Sequence, residues 1–73
     1  MDGDSEEWQR GLAAVQQYVA RRGNAAVPTL AVAGGVAVGA WVETRRQNYW
    51  TGGLPPSRVA ALESLPGWSW AGG

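Results

Sequence analysis

Five tryptophans in a 73-residue chain with neither cysteine nor histidine narrow the ways this sequence can hold a fold together. A domain of this length buries only about 60% of the surface its unfolded chain exposes, so its stability margin is thin. Disulfides and bound metals are the usual remedies. A disulfide needs cysteine, and structural zinc sites are built from cysteine and histidine, so neither remedy is open here. Large side chains remain. Each big aromatic removes on the order of 150–250 Å² from water, which marks Trp8, Trp41 and Trp68 as structural residues first. No metal and no cofactor are expected.

The formal charge sums to zero, but its distribution is uneven. Asp2, Asp4, Glu6 and Glu7 crowd the first seven residues, which read as an acidic leader or linker. From Trp8 onward six arginines face only Glu43 and Glu63, a local excess of four positive charges. All six cations are arginine. Its planar fork suits phosphate recognition and aromatic stacking, although arginine is also what a GC-rich genome would encode.

Residues 25–42 carry no charge over eighteen positions, long enough to raise the question of a membrane span. The stretch is broken by Pro28, Gly34, Gly35 and Gly39 and is rich in alanine rather than leucine. The acidic start also differs from the basic start of a signal peptide. The sequence therefore reads as soluble and cytoplasmic, with no membrane partner.

Helical spacing organises the rest. Ser5 followed by Glu6 and Glu7 resembles a cap with acids in the first turn. Trp8, Leu12, Val15 and Val19 then recur along one face with Tyr18 beside them, and Arg21, Arg22 and Gly23 close the helix. Val27-Pro28 favours extended backbone. Residues 24–37 are expected as an extended loop packed on the helices, the alternative being a tight hairpin around Gly34-Gly35. A second helix is expected from Val38 to Trp50, with Val42, Arg46 and Tyr49 on one stripe and Trp41 and Arg45 on the next. Thr51-Gly52-Gly53 ends it, and Pro55-Pro56-Ser57 opens a third helix bearing Val59, Leu62 and Leu65. Pro66-Gly67 should stop that helix and return Trp68 and Trp70 to the bundle. The prediction is an all-α, small three-helix bundle with a long apolar loop between helices 1 and 2. Its domain spans residues 8–70, after the leader at 1–7 and before a linker stub at 71–73. The expected core is Trp8, Leu12, Tyr18, Trp41, Val42, Tyr49, Leu62, Leu65 and Trp68.

Taken in order, Trp8, Leu12, Tyr18, Gly23, Val27-Pro28, Val38-Gly39-x-Trp41-Val42, Arg46, Tyr49, Leu54, Arg58, Leu62, Leu65 and Trp68-x-Trp70 form a pattern. It resembles the helicase-associated domain, a short three-helix module often found in tandem in large bacterial helicase-like proteins. The likeness runs from Trp8 to Trp70. Asn24 stands where the family often has histidine, Ala25 and Ala26 replace polar residues, and Pro55 replaces a serine-type cap. The resemblance implies an accessory, nucleic-acid-binding role beside a helicase motor, with that motor and neighbouring copies as partners. Any ATPase chemistry of the parent belongs elsewhere, since the chain has no lysine and hence no phosphate-binding Gly-x-x-x-x-Gly-Lys run.

Elimination argues against catalysis by the chain itself. Without cysteine or histidine the common nucleophile–base pairs are missing. Glu6 and Glu7 are neighbours near the chain start rather than carboxylates facing one another, and Ser5, Ser57, Ser64 and Ser69 have no evident base. The candidates for nucleic-acid contact are Arg45, Arg46, Gln47, Trp50, Arg21, Arg22 and Arg58. Arg46 shares the Val42–Tyr49 stripe, which favours a stem packed on aromatics with its head held by a carboxylate. For Arg45 the two roles balance. Arg21 and Arg22 suit a solvated helix end and also a phosphate. Trp50 falls off the buried stripe beside a glycine turn, where it could stack a base or fill a gap. Binding by one such module should be weak and salt-dependent. The rival reading is a protein-docking module, supported by the uncharged 25–38 segment.

Overall fold

The computed structural model describes residues 3–71. Three helices follow in chain order, α1 (Gly3–Arg22), α2 (Val38–Trp50) and α3 (Pro56–Glu63), and among the described residues there is no strand. This is the small all-α fold that the helical spacing predicts. The outer ends of the leader and of the stub, residues 1–2 and 72–73, lie outside the described residues.

α1 begins at Gly3, ahead of the expected cap, so Ser5 sits in its first turn rather than before it. Glu6 and Glu7 remain close to the positive end of the helix dipole, and Arg21 and Arg22 occupy the last turn. Gly23 closes the helix at a φ of +87°, with its N–H donating to Val19 O at 2.7 Å. The buried face carries Trp8, Gly11, Ala14 and Val15, at the three- and four-residue spacing of one helical stripe. Gly11 was not expected there. A β-carbon on it would overlap the Trp41 indole, so the glycine is what lets α2 bring that ring onto α1.

The connection at 24–37 is an extended loop, and the Gly34-Gly35 turn is real but short. Gly34 and Gly35 have φ of +56° and +76°, the positive values that a two-residue hairpin turn requires. Ala33 and Val36 exchange N–H···O bonds at 2.9 Å in each direction, and the pairing stops at that single bridge. Two residues of ladder do not sustain a hairpin. The loop is tied instead to the helices. Ala25 N–H donates to Pro66 O at 2.8 Å, and Ala25 and Val27 are buried.

α2 starts without a capping side chain at Ala37. The first N–H groups of a helix have no partner inside it, and here loop carbonyls serve: Val38 N–H donates to Val36 O and Gly39 N–H to Ala31 O. A β-carbon on Gly39 would overlap the carbonyls of Pro28 and Thr29. The loop therefore crosses the first turn of α2 at a distance only glycine allows.

α3 enters through Pro55 in extended geometry with Pro56 in the first turn, where a missing N–H costs nothing. Its Leu62 is fully buried and joins Trp8, Ala14, Val15, Val27, Val38, Trp41 and Val42 in one core cluster. Of the expected core, Trp8, Trp41, Val42 and Leu62 are buried, Leu12, Tyr18, Leu65 and Trp68 pack against the cluster half-buried, and Tyr49 lies half-buried outside it, stacked on Trp70. Gly67, at a φ of +76°, turns the chain after α3 so that residues 68–71 run back along α2.

Candidate functional site

The aromatic residues form two chains of ring contacts. In the first, the Arg58 guanidinium lies 4.8 Å from the Trp8 ring centre, Trp8 lies 5.3 Å from Trp41, and Arg45 lies 5.0 Å above Trp41. This chain joins α3, α1 and α2. In the second, Arg46 lies 5.4 Å from Trp68, Trp68 meets Trp70 edge-on at 5.0 Å, and Trp70 stacks on Tyr49 at 4.0 Å. Tyr49 then meets Trp50 edge-on at 5.3 Å. This chain fastens the C-terminal segment to α2.

The arginine candidates consequently separate. Arg45 and Arg46 are both buried, each 7% exposed. Arg46 donates from Nε to Ser69 O and from Nη1 to Glu43 Oε2, both at 2.9 Å, which is the packed, carboxylate-held arrangement favoured by its stripe. Arg45 has its guanidinium over Trp41, and its Nε makes no hydrogen bond. Arg58 is half-buried over Trp8. Arg21 and Arg22 are exposed at the end of α1, with Arg22 5.8 Å from the Tyr18 ring centre. Periodicity assigned Arg45 to a stripe beside Trp41 but gave no sign that both stripes would be covered. Trp41 is covered by Trp8 and Gly11 of α1, and Arg46 by the returning chain at Trp68 and Ser69.

Trp50 is the one tryptophan left exposed among the described residues, at 68%. It is nonetheless held. Its Nε1 donates to Trp70 O at 3.0 Å, and Tyr49 abuts its ring. Gln47, three residues earlier, is also exposed. One side of the indole is thus offered to solvent in a fixed orientation.

Between the loop, α2 and the C-terminal segment lies a cleft that sequence reasoning missed. Its volume is about 460 Å³, and it is lined by residues 26–29 of the loop, by Glu43 and Arg46 of α2, and by Ser69 and Ala71. Glu43, Arg46 and Trp50 are three and four residues apart, so they lie along one stripe of α2. Towards α1, the Tyr18 hydroxyl donates to Ala26 O in a long hydrogen bond of 3.4 Å. This bond ties α1 to the cleft wall at Ala26, with Arg22 over the same Tyr18 ring. Elsewhere, Leu30 and Val32 are the apolar side chains most out of place, 90% and 68% exposed.

The family model described as Helicase associated domain matches residues 5–71. The chain belongs to that family. A helicase-associated domain is an accessory module of a helicase-like protein and not itself a catalytic unit. No curated protein and no solved structure matches the chain. Among the described residues, no group of histidine, cysteine, aspartate and glutamate is placed to hold a metal ion. No helix among the described residues is long and apolar enough to cross a membrane.

Proposed function

We propose that this helicase-associated domain adds weak nucleic-acid affinity to a helicase-like parent, with single strands as the preferred form. One observation carries the reading: a tryptophan 68% exposed yet fixed by a hydrogen bond and a ring contact. A large apolar surface held rigidly in water is the arrangement on which a base stacks, at about 1–3 kcal/mol per base. Gln47 sits beside it with amide donors and an acceptor. Arg21 and Arg22, exposed and not engaged in ion pairs among the described residues, supply the phosphate attraction. Arg45, Arg46 and Arg58 enter the reading as supports of the aromatic scaffold. A single module of this charge belongs in the non-specific affinity range of ~10⁻⁴–10⁻⁶ M. Tandem copies, where a parent carries them, raise avidity by linkage.

Docking on the motor or on a neighbouring copy is the second reading, favoured by the exposure of Leu30 and Val32. Fluorescence anisotropy with labelled single-stranded and duplex oligonucleotides, at low and near-physiological salt, separates the two. The proposed function predicts saturable binding to the single strand that weakens as salt rises. A folded domain that binds neither form at low salt would leave docking as the function.

A further inference from the structure

We infer that the cleft between the 26–29 loop, α2 and the C-terminal segment is a pocket for one unstacked guanine base, an inference that rests on the proposed single-strand reading. Its size of about 460 Å³ lies within the range of small-ligand sites, roughly 300–1,000 Å³. Its walls are mostly apolar, with Ala26, Val27, Pro28 and Ala71 among the lining residues. The polar groups are few and paired. Arg46, its side chain 8% exposed, is held by Ser69 O and Glu43 Oε2, while the Glu43 side chain is 38% exposed.

That pairing selects the chemistry. Together Glu43 and Arg46 carry no net charge, so the pocket neither attracts a free ion nor repels the phosphates of an approaching strand. A carboxylate presents acceptors, and a guanidinium with two of its five N–H groups engaged presents donors. The complementary ligand is neutral and planar, with donors and an acceptor side by side. Guanine carries two adjacent donors, N1–H and the N2 amino group, next to the O6 acceptor. A base splayed out of a single strand is read in this way on its Watson–Crick edge. Adenine and cytosine place one donor beside one acceptor and would use half the carboxylate; thymine and uracil present a single donor. With a guanine in the cleft, the base next to it in the strand meets Trp50, one turn further along α2.

The test uses amide NMR titration of the full chain with guanosine, adenosine, cytidine and thymidine as separate probes. Guanosine should shift the Thr29, Ser69 and Ala71 resonances in a saturable way, with an affinity at least fivefold above that of the other three. Glu43→Gln should remove the guanosine preference. Ala26→Leu, which leaves the Glu43–Arg46 pair intact and fills the cleft, should abolish binding of every nucleoside if Glu43→Gln proves unfolded. Equal responses to all four probes, or shifts confined to residues away from the cleft, would overturn the pocket. Oligonucleotide binding that needs Trp50 but shows no guanine preference would overturn it while leaving the proposed function standing. A guanosine response in a chain that binds no oligonucleotide would do the reverse.

Discussion

The arginines divide by what surrounds them, and each group predicts a different defect. Arg46 holds a backbone carbonyl, a carboxylate and an indole at once, joining Ser69, Glu43 and Trp68. Losing the two charge-assisted hydrogen bonds of the buried Arg46, one of them to a Glu43 side chain 38% exposed, together with its packing on Trp68, costs on the order of 3 kcal/mol. For a domain of this length each kcal/mol lowers Tm by about 4–8 °C. Arg46→Ala should therefore lower Tm by more than about 10 °C, read by circular dichroism, and release the 68–71 segment from α2. Arg21→Ala and Arg22→Ala should leave Tm within about 3 °C, since surface changes of this kind lie within about 0.5 kcal/mol. They should instead flatten the dependence of nucleic-acid affinity on salt, by about one phosphate contact each. A normal salt slope in the double variant would remove these two residues from the interface.

Among the helices, the endings of α1 and α2 were legible because they rest on local chemistry: glycine after the last helical residue, arginines in the final turn of α1, glycines after Trp50. What was not legible is where backbones approach each other. Gly11 and Gly39 look like ordinary helix-weakening residues in the sequence, yet each marks a non-local contact, with Trp41 in one case and with the Pro28–Thr29 backbone in the other. A methyl group at Gly39 has no flexible side chain to displace. Gly39→Ala should consequently cost several kcal/mol despite the better helix propensity of alanine, worth about 1 kcal/mol in the opposite direction. Chemical denaturation measures it directly, and a stabilised Gly39→Ala variant would contradict the crossing of the loop over α2. The burial of Arg45 escaped sequence reading for a related reason. Residue spacing assigns a stripe to a face, but only the assembled fold determines how many faces are covered.

Across the whole molecule, the two aromatic chains explain how 73 residues hold together without a disulfide. One ties the three helices to each other, the other ties the C-terminal segment to α2, and arginines flank both. The tryptophan count announced this strategy at the outset, and the roles of Trp8, Trp41 and Trp68 were readable from it. The cleft was not, because its walls come from three segments distant in sequence and only Glu43 and Arg46 lie on a common helix. Trp50 could be placed off the buried stripe by spacing alone, but what fixes it, the Trp70 carbonyl, depends on the returning chain.

Four tryptophans are wholly or partly buried and the fifth, Trp50, faces solvent, so the proposed base stacking rests on Trp50. The most direct measurement compares single-strand affinity and Tm for the native chain and Trp50→Ala. Trp50→Ala should lower affinity by about tenfold or more, the loss of one stacked base, with Tm falling by no more than about 5 °C. Unchanged affinity, or a loss of affinity matched by collapse of the fold, would contradict it and identify Trp50 as one more structural ring.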